Sequence, residues 1–162
     1  MRIMPGDMCK PCIQLTDDMV LYHATFDPYL SSIKRNGLVI GRSPLWQDVC
    51  VDHKSTRIYL ANDIECAIDF CECVQDEDEF PEELVDSAIV VLVVKVKDLR
   101  LLDKKLNRNG FVCDDGMVDG GLESGTVGYR YNIPVELLGI TAETGDTLPL
   151  RKIRKLDKTF FW

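Results

Sequence analysis

The chain has 162 residues, the length of one ordinary domain with room for a buried core. With 46% hydrophobic and 28% charged residues it reads as a folded globular protein, not a disordered one. Its formal net charge of -8 repels phosphates over most of the surface, which argues against a general DNA or RNA binder but leaves room for one nucleotide in a shielded pocket.

The first segment, "MRIMPGDMCKPC", lacks an apolar stretch of signal-peptide length. The longest apolar run, "AIVVLVV", is far too short to span a bilayer. Both point to a cytoplasmic protein, in a bacterial or a host cell. Seven cysteines cannot all pair internally, and in the cytoplasm most stay reduced. Cys9 and Cys12 have zinc-ligand spacing, but only Cys71 and Cys73 offer a second pair, with unusual one-residue spacing. No metal site is expected.

Residues 1–18 read as a loose arm, 19–150 as a single domain, and 151–162 as a basic, then aromatic tail. "MVLYH" is a short strand. "FDPYLSSIKRNG" carries helix signals: Asp27 as N-cap, Pro28 in the first turn and Gly37 as C-cap. Residues 40–56 form a polar loop with Arg42, Trp46 and His53. "RIYLA" is the next strand, and "NDIECAIDFCECV" a helix capped by Asn62 or Asp63. "QDEDEFPEE" is an acidic, solvated breaker.

"SAIVVLVVKVK" has the composition of a strand covered on both faces, and "DLRLLD" continues it or follows a bend. Residues 104–125 read as one long glycine-rich loop. "TVGYRYNIP" is a strand, followed by a turn and short strand in "VELLGITA". Phe160, Phe161 and Trp162 are too apolar to dangle and should pack on the domain or a partner. The order predicts a mixed α+β domain. Neither a dinucleotide-binding glycine fingerprint nor a P-loop is present.

Three pieces recur in one order: "LYHAT" before a helix ending in "NGL", "RIYLAND" before "CAIDF", and "ESGTVGYRYNIPVELL". This layout resembles the ADP-ribosyltransferase superfamily, in its His–Tyr–Glu branch of ADP-ribose polymerases and diphtheria-type toxins, and more distantly the RNA 2′-phosphotransferases. The resemblance spans most of residues 20–140. It implies a split β-sheet core with short flanking helices, and NAD as the substrate that donates ADP-ribose.

By that resemblance the catalytic residues are His23, Tyr59 and Glu123. His23 would hydrogen-bond a ribose hydroxyl with Thr25 in support, and Ala24, where the family most often has Gly, would hold the carboxamide through its backbone. Tyr59 would give nicotinamide a flat surface to stack on. Glu123 would fix the 2′-hydroxyl and offset the positive charge of an oxocarbenium-like ribose, with Glu136 its competitor. Arg42 would contact the NAD phosphates. Arginine-specific relatives carry a second glutamate where this chain has Gly121, so arginine is disfavoured as acceptor.

Taken one at a time, the same residues have plain structural readings: a half-buried histidine, a strand tyrosine and a solvated glutamate. The order of the three motifs favours a mono-ADP-ribosyltransferase with a protein or nucleic-acid acceptor, of the kind found in bacterial or phage effectors and toxins. The alternative is a non-catalytic binding or inhibitory protein on the same scaffold, its acidic surface mimicking nucleic acid.

Overall fold

The computed structural model describes residues 14–40, 57–76, 80–112 and 125–162. The apolar segment around residues 88–94 becomes the middle of the molecule. Strand β3 (Ile89–Lys95) has Val90, Val91 and Leu92 wholly buried, because its neighbours cover both faces. Strand β1 (Val20–Phe26) runs antiparallel to it from Val20↔Lys95 to Phe26↔Ile89.

The other strands among the described residues are β2 (Ile58–Ala61), β4 (Phe111–Val112), β5 (Thr126–Tyr129), β6 (Gly139–Thr141) and β7 (Thr147–Pro149). They form one seven-stranded antiparallel sheet in the order β4-β5-β2-β1-β3-β6-β7. The fold is therefore mixed α+β. The sheet is unevenly joined. β1 is zipped to β3 along its whole length, yet it meets β2 at one register pair, Tyr22↔Ala61. Beyond that pair the two halves part.

Among the described residues three α-helices flank the sheet: α1 (Leu30–Asn36), α2 (Ile64–Gln75) and α3 (Val96–Lys105). Alternation along β1 and β3 sends Leu21, Val90, Leu92 and Val94 into the main core, with Leu30 and Ile33 of α1 and Leu99 of α3. The opposite face carries Phe26 and Ile89, covered by Cys71 of α2 and by Phe80 and Leu84.

Several expectations change in three dimensions. The "FDPYL" start is a 3₁₀ turn (Asp27–Tyr29) leading into α1, and Asp27 makes no side-chain capping bond. Pro28 does occupy the first turn, and Gly37 ends the helix at φ 73°. "VKDLRLLDKK" is not an extension of β3 but helix α3: Val96, Leu99 and Asp103 share one buried side at helical spacing, an arrangement a strand would split between faces. The stretch expected as a loop from 104 to 125 contains the end of α3 and strand β4.

The acidic breaker is anchored, since Phe80 is buried with its ring 5.3 Å from that of Phe26. The end of the expected arm is also docked. Leu15 lies in the main core, and Arg100 of α3 grips Asp17 at 2.8 Å and the Leu15 carbonyl at 2.9 Å. At the other terminus Phe160 is buried, and Trp162 donates its indole N–H to the Thr141 carbonyl and its backbone N–H to that of Ile89. No helix among the described residues is long and apolar enough to cross a membrane.

Candidate functional site

His23 stands on β1 one residue past the single β1–β2 pair, where the strands separate. Its Nδ1 lies 2.9 Å from the backbone carbonyl of Tyr59 on β2. A carbonyl only accepts, so Nδ1 carries the proton and donates it. Burial lowers the imidazole pKa below its ordinary 6.5, opposed by that hydrogen bond, so the ring is neutral near pH 7. Nε2 is then an acceptor. Nε2 can therefore receive an O–H or N–H.

Thr25, two residues on, is buried on the same strand, and Ala24 is half-buried between them. Tyr59 is half-buried and hydrogen-bonded in the β2–β5 ladder opposite Gly128. Its neighbours Ile58 and Leu60 face the main core, so alternation turns the Tyr59 side chain to the other face. His23 aligns with Leu92, a main-core residue. The fold thus joins His23 to Tyr59 through imidazole and main chain.

β5 enters the sheet beside the end of β2. Thr126 pairs with Ala61, and the Asn62 N–H donates to the Gly125 carbonyl at 3.0 Å. Gly125, at φ 84°, takes a left-handed conformation suited to glycine. Glu123 precedes it by two residues and lies outside the described residues, as do Arg42, His53, Gly121 and the pair Cys9 and Cys12. Glu136 is exposed in the 3₁₀ turn Val135–Leu137, which packs on α1.

Next to this junction lies an open depression lined by Tyr22, Asn62, Asp63, Ile64, Glu65 and Trp162. It sits at the N-terminus of α2, but the helix caps itself there. The Asp63 carboxylate accepts the Glu65 N–H at 2.8 Å, which supplies the cap expected from the sequence. With Asp63 and Glu65 both carboxylates, this helix end is poorly suited to an anion.

Among the described residues no group of three or more His, Cys, Asp or Glu is placed to hold a metal. Cys71 is buried, and burial first, then Glu72, pushes its thiol up to about 12, so it is protonated at neutral pH.

One cluster escaped the sequence reading. Asp103 of α3 is buried and accepts from Tyr129 Oη at 2.5 Å, from the Gly110 N–H at 2.9 Å and from Arg108 Nε at 3.2 Å. The Arg108 guanidinium lies 4.0 Å from the centre of the Tyr131 ring. Gly110 is required there, because a Cβ would fall 2.2 Å from the Tyr129 ring. Burial, then the bond to Asp103, raises the Tyr129 pKa well above that of a free phenol. The cluster ties α3 to β4 and β5, and so fixes the half of the sheet on which Tyr59 and Gly125 sit. The available signal was a carboxylate four residues after Leu99 on the apolar side of an amphipathic helix, which demands buried donors.

No family profile and no curated protein matches the chain.

Proposed function

We propose that the chain is an NAD-dependent mono-ADP-ribosyltransferase on an ADP-ribosyltransferase-like split sheet, acting on a protein or nucleic-acid acceptor as an effector or toxin. The observation that carries the reading is His23: a neutral imidazole at the parting of two half-sheets, its Nδ1 committed to the Tyr59 carbonyl and its Nε2 left as an acceptor. In this reading Nε2 receives a hydroxyl of the nicotinamide ribose, and Thr25 supports the strand beneath it. Ala24 holds the carboxamide through its backbone, Tyr59 offers a ring to nicotinamide, and Arg42 meets the phosphates. The bond from ribose C1′ to the nicotinamide nitrogen breaks, and nicotinamide leaves with the electron pair. The acceptor's nucleophile then bonds to C1′ and gives up its proton, while the Glu123 carboxylate offsets the positive charge on the ribose. Gly125, two residues after Glu123 in sequence, is anchored to Asn62 beside β2.

A second reading, a non-catalytic binding module on the same scaffold, draws support from the alternation that turns the Tyr59 side chain away from the face of His23. Labelled NAD separates the two. Wild-type protein incubated with NAD and a cell lysate should release nicotinamide and label a macromolecule. His23→Ala and Glu123→Ala should lower both by about 100-fold or more, and Glu136→Ala should leave both near wild type. Binding of NAD with no nicotinamide release would establish the second reading. Loss of activity in the Glu136 variant alone would move the acid.

A further inference from the structure

The segment 150–158 turns one residue in three inward. Leu150 is buried, and Ile153 and Leu156 pack against the main core. Between and just after these anchors Arg151, Lys152, Arg154, Lys155 and Lys158 are exposed. Lys34 of α1 joins them, since its ammonium donates to the Ile153 carbonyl. None of these six cations forms an ion pair among the described residues. The one carboxylate within 150–158, Asp157, accepts the Thr159 N–H at 3.1 Å and caps the following 3₁₀ turn. A chain of net charge -8 therefore carries a fixed cationic ridge. Screening over about 8 Å at physiological salt lets such a ridge act apart from the acidic remainder.

We propose that this ridge binds the phosphodiester backbone of a nucleic acid. Its chemistry favours that partner over other polyanions. Stable anchoring on a membrane takes an apolar insertion or lipid as well as cations, and within 150–158 the apolar side chains turn toward the core. A protein partner would need a cluster of exposed apolar or aromatic anchors, yet none of the exposed large hydrophobics falls within 150–158 and the one beside it is a single side chain, Leu148 on edge strand β7. A repeating phosphate needs only charges held at intervals, and a backbone already docked at three points loses little freedom on binding. The inference is independent of the transferase reading, because it is tested without NAD.

The test measures fluorescence anisotropy of labelled single-stranded DNA, single-stranded RNA and duplex DNA over a range of salt. Polyglutamate and vesicles of phosphatidylcholine with phosphatidylserine serve as competitors. Binding of any of the three nucleic acids supports the proposal, and for single strands log affinity should fall against log salt with a slope of about -3 to -4, as expected for four to six phosphates. The pair Lys152→Glu with Lys155→Glu lies on exposed positions and should leave the melting temperature unchanged. It should weaken binding by about 10-fold or more and reduce that slope by about 1.4. Absence of binding by wild type at low salt, binding unaffected by the two substitutions, or competition by polyglutamate or the vesicles at concentrations equal to those of nucleic acid would overturn it.

Discussion

At the scale of single residues, His23 shows how one hydrogen bond decides a chemistry. A histidine on a strand is a donor, an acceptor or a cation according to its surroundings. Here the Tyr59 carbonyl settles the tautomer and burial settles the charge. The folded state holds the ring below its ordinary 6.5, whereas the unfolded chain takes up a proton near that value. The unfolded state thus binds more protons as pH falls, and this contribution to stability is full above about 6.5 and declines below it. Urea unfolding of wild type and His23→Gln between about pH 5 and 8 should show the difference in stability moving against wild type as pH falls, by no more than about 1.4 kcal/mol per unit. A difference that stays constant with pH would rule this out. "LYHAT" made His23 a candidate from sequence. The acceptor state of Nε2 was not legible, because the partner carbonyl lies 36 residues away.

At the scale of elements, local signals worked where the local chain decides the outcome. Gly37 ends α1 at φ 73°, and the following Leu38 bridges to Ile133. A Cβ at position 37 would fall 2.1 Å from the Ile133 carbonyl oxygen. Gly37→Ala therefore combines backbone strain with a clash, and denaturant unfolding should show a loss of more than about 1 kcal/mol. A neutral result would mean that the 37–38 junction is not held as described. The reading failed at α3, where "KVKDLRLL" follows a β-branched run without a Gly or Pro between them. There the helix is decided by where Val96, Leu99 and Asp103 find burial. Asp103 joins β4 and β5 through Gly110 and Tyr129, a link that no local pattern announces.

At the scale of the whole molecule, the C-terminal segment belongs to the fold's packing. Phe160 contributes to the main core with 7% of its surface exposed, and Trp162 lies across β3 and β6. Phe160→Ala should cost about 3 kcal/mol in equilibrium unfolding. A cost near zero would show that residues 151–162 are an appendage. From sequence alone came the α+β class, the doubly covered strand in "AIVVLVV", the Gly37 stop of α1, the Asp63-capped start of α2, and the ordered trio "LYHAT", "RIYLAND" and "ESGTVGYRYNIP". All but the trio, which rests on resemblance to a family, follow from periodicity, capping and composition, which act between residues close in the chain. The tertiary structure decided the rest: the parting of β1 from β2 after one pair, the commitment of His23 Nδ1 to Tyr59, the Asp103 cluster, and a tail whose apolar residues turn inward and leave its cations on a ridge. Each depends on which distant strand or helix supplies the partner, and that choice is made by burial summed over the whole chain.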